Sequence, residues 1–80
     1  MKTTDIFNFF HDELKEVIED TDWMGKFCEI SGVSKEDAKE CYWRNKEITN
    51  NEEVNSKLVS YIVSLGYEKE FYEYKMKTAI

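Results

Sequence analysis

The stretch FCEISGVSKEDA, residues 27–38, decides how this chain folds. Trp23, Phe27 and Ile30 lie four and three apart, which predicts a short helix over residues 23–30 with one apolar side. Ser31-Gly32-Val33-Ser34 stops it, because glycine enters the left-handed backbone of a tight turn without steric cost. Ser34 then stands as N-cap of a further helix, with Asp37 at the third helical position in place of the more usual Glu or Gln of a capping box. That helix is expected to run from Lys35 to about residue 45.

The offsets around Gly32 are informative. Phe27 and Cys28 precede it by five and four, Val33 follows by one, and Ala38 and Cys41 follow by six and nine. Two helices that cross closely over a glycine turn need small or apolar residues at these places, which is the pattern of a helix-turn-helix over residues 23–45. Upstream, Ile6, Phe10, Leu14 and Val17/Ile18 recur at helical spacing, with Phe7 and Phe9 widening the stripe and Thr4 or Asp5 as expected N-cap. Downstream, Asn50-Asn51 is a break and cap, after which Val54, Leu58, Tyr61/Ile62 and Leu65 mark a fourth helix closed by Gly66. In the tail, Tyr72, Tyr74 and Met76 alternate with Glu73, Lys75 and Lys77. Period two favours an extended segment, with a fifth short helix as the alternative. The expected fold is therefore mainly α: one small four-helix domain over 1–80 containing a helix-turn-helix, with a short C-terminal aromatic segment, extended or helical.

Composition narrows the class. Eighty residues bury only about 60–65% of their unfolded surface, so stability rests on the aromatics, 15% of the chain, each able to cover roughly 150–250 Å². The opening MKTTDIFNFF lacks an uninterrupted apolar core and a small-residue cleavage site, and is not expected to act as a secretory signal. No apolar run approaches the ~18 residues of a membrane span. Cys28 and Cys41 read as small core residues in a reduced compartment, with a disulfide as the alternative, and the expected location is cytoplasmic. The net charge of −6 is uneven: residues 1–25 hold two lysines against seven acids, residues 26–48 five bases against five acids, and residues 49–80 four against five. The excess acid sits on the first segment.

No enzyme and no cofactor are expected. His11, the sole histidine, lies four residues from Phe7 among acids and apolar residues, the setting of a helix-surface side chain rather than a general base. The two cysteines and this histidine form no short ligand cluster, and no glycine-rich phosphate loop exists.

The segments FCEISGVSKEDA, EIT and KLVSYIVSLGY, within residues 27–67, resemble the helix-turn-helix headpiece of LacI-type repressors and, more loosely, lambda-repressor-like domains. Gly32-Val33-Ser34 and Leu65-Gly66-Tyr67 carry most of the likeness, which covers about half the chain. The chain departs from that pattern in an extra pair near Asn50-Asn51, a long acidic first helix and an aromatic tail in place of a hinge. The resemblance implies a recognition helix over residues 34–45, with Ser34, Lys35, Lys39 and Arg44 as DNA-contacting residues of a dimeric regulator. The charges oppose it: Glu36 and Glu40 share that face, and an acidic helix adjoins it.

The preferred expectation is a non-catalytic, protein-binding inhibitor or co-regulator of nucleic-acid machinery, of the small acidic kind that phages and mobile elements use. Asp12, Glu13, Glu16, Glu19 and Asp20 would meet a basic partner surface, and Trp43, Tyr72 and Tyr74 would serve as aromatic anchors. A sequence-specific DNA-binding regulator is the alternative.

Overall fold

A computed structural model of the protein describes residues 1–18 and 22–78. Among these, helices α1 (Thr3–Phe9), α2 (Trp23–Ser31), α3 (Lys35–Arg44), α4 (Glu52–Ser64) and α5 (Glu68–Thr78) follow in order, with no strand. Helix α1 passes without a break into a π-helical turn, Phe10–Leu14.

Helix α1 is the centre of the molecule. Ile6, Phe7, Phe9, Phe10 and Leu14 are all buried, so apolar groups leave this helix in several directions and need neighbours on each side. Phe7 meets Trp23 and Phe27 of α2, with ring centroids 5.2 and 5.0 Å away. Phe10 lies edge-on to Phe27 at 5.4 Å and stacks on Tyr61 of α4 at 5.9 Å. Phe9 turns the other way, edge-on to Phe71 and Tyr74 of α5, each at 5.2 Å. The π turn keeps this packing going. Residues four apart drift around an α-helix by about 40° per step, whereas the wider i→i+5 turn rotates less per residue, and Phe10 and Leu14 at its two ends are both fully buried.

The start of α1 is fastened to the α3–α4 connection by polar contacts. The fully buried Thr3 hydroxyl donates to Asn55 Oδ1 at 2.6 Å and accepts from the Asn51 N–H at 3.1 Å. Thr3 N–H donates to Asn50 Oδ1 at 3.1 Å. Thr4 Oγ1 accepts from the Ile48 N–H at 2.9 Å. The helix therefore begins two or three residues earlier than its spacing suggests: Thr4 is spent on Ile48, and the first turn is closed by Lys2 N–H donating to the Asp5 carboxylate at 3.1 Å.

The remaining helices are bounded by local caps. Asp22 caps α2 by accepting from Gly25 N–H at 2.8 Å, and a β-carbon at Gly25 would collide with that carboxylate. Gly32, at φ +76°, ends α2, and Ser34 Oγ accepts from Asp37 N–H at 3.1 Å to begin α3. Helix α3 seats Ala38 and Cys41 inward and ends on Asn45 at φ +55°. Asn51 caps α4 through Val54 N–H at 3.1 Å. Cys28 and Cys41 are free thiols, and burial pushes both above the ordinary thiol range.

The tail is helical rather than extended. Phe71 and Tyr74 form the inward stripe of α5, continued by Tyr67 just before it, while Tyr72 and Met76 lie on its outer side. Apolar residues on both faces produce an alternation that imitates period two. Among the described residues there are thus five helices, the fifth being the helical alternative for the tail.

Replacing Thr3 by Val keeps the shape but removes a buried hydroxyl with two partners, so unfolding free energy should fall by about 1–3 kcal/mol. Chemical denaturation checks this. A midpoint equal to that of the unaltered chain would show that α1 is not fastened through Thr3.

Candidate functional site

The π turn and the end of α3 meet at the surface. His11 lies at the centre of this meeting, half-buried, with its ring 5.3 Å from that of Trp23 and 5.2 Å from that of Tyr42. Its Nδ1 stands 2.9 Å from Asp12 Oδ1. Since an ionised carboxylate only accepts, Nδ1 carries the proton and donates. Tyr42 in turn lies edge-on to Trp43 at 4.7 Å and contacts Trp23 at 6.0 Å. An unbroken series of rings thus runs from Phe7 in the core through Trp23, His11 and Tyr42 to Trp43, which is 75% exposed.

Asp12 is the acidic partner of this series. Its second oxygen accepts from the Tyr74 hydroxyl at 3.0 Å, so one carboxylate joins the π turn to α5. Burial first, and Asp12 second, push the Tyr74 phenol well above the ordinary tyrosine range. Tyr74 is accordingly a half-buried strut against Phe9, and Tyr72, 63% exposed, lies on the opposite side of α5. Glu13 and Glu16 are exposed beside Asp12. Glu19 and Asp20 lie outside the described residues.

The residues that a DNA-reading α3 would use are placed differently. Ser34 is engaged as the cap of α3. Lys35 Nζ is 3.3 Å from the carboxylate of Asp22, whose pKa is held low chiefly by the Gly25 N–H and then by Lys35. Lys39 and Arg44 are exposed and line a shallow hollow with Glu36, Glu40 and Trp43. Glu40 also pairs with Lys46 at 3.0 Å, which raises the Lys46 pKa. The outward face of α3 is therefore of mixed sign.

No family model, curated protein or solved structure matches the chain. The site stands on its own geometry. Among the described residues no three side chains of His, Cys, Asp or Glu converge as metal ligands. No helix among them is long and apolar enough to cross a membrane.

Of the sequence candidates, Asp12 and Trp43 are brought into one surface, Tyr74 is tied to Asp12 from within, and Tyr72 belongs elsewhere. His11 and Tyr42, which join them, were not candidates. Residues 11, 23 and 42 come from three elements, and no local spacing connects them.

The Tyr74 contact carries a pH dependence. The folded state holds this proton more tightly than the unfolded chain, whose tyrosines ionise near pH 10. The contribution is thus complete below about pH 10 and declines as the pH rises further. Thermal melts from pH 8 upward should show the unaltered chain losing stability above about pH 10 more steeply than Tyr74→Phe. Parallel curves would mean that Tyr74 is not held against Asp12.

Proposed function

We propose that the protein is a non-catalytic regulator that binds a protein with a basic surface through the acidic π turn and the aromatic end of α3. The observation that carries this reading is the ring series from Phe7 to Trp43, which joins an exposed tryptophan through Tyr42 and His11 to Asp12 on the acidic π turn. Acids of one sign accelerate encounter with a basic patch, and a tryptophan held from behind loses little freedom on docking. Affinity then comes from burying Trp43 and Tyr42. In this reading α2, Gly32 and α3 form a helix-turn-helix used as a scaffold, and the partner belongs to the nucleic-acid machinery that small acidic proteins of mobile elements inhibit or co-regulate.

The DNA-binding reading keeps one supporting observation, the capped and outward-facing α3 with Lys39 and Arg44 exposed. Against it, Lys35 is committed to Asp22, and Glu36 and Glu40 would face phosphates.

The immobilised protein should retain a host protein, and Trp43→Ala should weaken that retention by about 2 kcal/mol or more. The pair Glu13→Lys and Glu16→Lys should slow association and remove its dependence on salt. Random-sequence duplex DNA should not bind at low salt. Duplex binding that falls steeply with added salt, and is lost in Lys39→Glu with Arg44→Glu, would overturn the proposal in favour of DNA recognition.

A further inference from the structure

Helix α5 is docked less firmly than its neighbours. Phe71 is its one buried side chain among those described, and two open hollows border it: one of about 660 Å³ lined by Val63, Tyr72 and Met76, the other of about 380 Å³ lined by Ile6, Val59, Phe71 and Lys75. Glu70 lies on the inward side with Phe71 and Tyr74, and its Oε2 is enclosed without a hydrogen-bond partner. An acceptor that gives up water and gains no donor opposes the docking that buries it. Gly66, at φ +80°, connects α4 to α5, and glycine lets the backbone there take other directions. Against these features stands the Tyr74 hydroxyl, which donates to Asp12 Oδ2 at 3.0 Å.

We infer that α5 opens as a unit about Gly66 while α1–α4 stay folded, and that its docking masks the Asp12 carboxylate of the acidic turn. With α5 docked, Asp12 Oδ1 stands against His11 Nδ1 and Oδ2 accepts from Tyr74, so both oxygens are engaged. With α5 released, Oδ2 is returned to the edge of the π turn, free to accept from a guanidinium or ammonium group. The masking rests on the reading of this turn as the partner-binding surface: a basic partner and Tyr74 then compete for one oxygen. By linkage, whatever tightens the docking weakens binding, and binding releases α5 by the same factor. Opening is local because it separates only the cluster of Phe9, Phe71 and Tyr74, whereas α2 and α4 bury Phe27, Leu58 and Ile62 against Phe7 and Phe10.

Native-state hydrogen exchange of the full chain, followed amide by amide by NMR, tests the opening. The amides of residues 72–77 should share one protection level, about a hundredfold or more below that of α2 and α4. Glu70→Met, which keeps helix propensity and removes the enclosed oxygen, should raise α5 protection about tenfold. Protection in α5 equal to that of α2 overturns the inference, as does protection that declines steadily toward the C-terminal end, the mark of fraying, or a Glu70→Met chain without gain. Titration with an oligoarginine peptide at low salt tests the masking. Tyr74→Phe leaves the charge unaltered and should bind the peptide about threefold or more tightly than the unaltered chain. Equal affinity of the two chains overturns the masking and leaves the functional reading standing. If neither chain binds although α5 opens alone, the functional reading fails and the masking with it, while the separate opening of α5 is established.

Discussion

Phe7, Phe9 and Phe10 are all buried within four consecutive positions of one helix. No single packed face can hold them, so α1 must be surrounded: α2 receives Phe7, α2 and α4 together receive Phe10, and α5 receives Phe9. Each such burial is worth about 1.5–3 kcal/mol relative to exposure, and the edge-to-face contacts add to it. In a chain of eighty residues this is a large share of what stabilises the fold. The Thr3 and Thr4 contacts to residues 48–55 then fix where the helix starts.

The same constraint shapes the surface. Helix α1 carries one acid, Asp5 in its first turn, and the next acids emerge where the π turn reaches the edge of the molecule, at Asp12 and Glu13, with Glu16 beyond. Helix α3 rests mainly on α2, and its aromatic end is brought to that edge by Tyr42 against His11. Acidic and aromatic groups thus become neighbours through one imidazole. π turns frequently occur at functional positions, and here the turn sets the placement of both His11 and Asp12.

What the sequence discloses is largely what is decided locally. Gly32, Ser34 and Asn51 bound their helices as their neighbours predict, because a cap depends on three or four consecutive residues. The start of α1 was misplaced because the decisive partners of Thr3 and Thr4 lie more than forty residues away. The tail left two readings open for a different reason. Tyr72 and Met76 share one face and Tyr74 the other, so a helix with two apolar faces imitates a strand, although the spacing of Tyr67, Phe71 and Tyr74 already suits a helix. Of the site, the acids and Trp43 were visible as exposed residue types. Their adjacency was not, since it depends on His11, Trp23 and Tyr42 meeting across three elements.

The claim that the acidic turn and the aromatic end of α3 form one surface is tested most directly by proton nuclear Overhauser spectroscopy of the His11 ring in the free protein. Rings about 5 Å apart place the imidazole protons within reach of both Tyr42 and Trp23. Cross-peaks from His11 Hδ2 or Hε1 to the Tyr42 and Trp23 ring protons are the predicted result. A folded, helical protein whose His11 ring shows contacts only within its own helix would contradict the account, because the acids and Trp43 would then belong to separate surfaces.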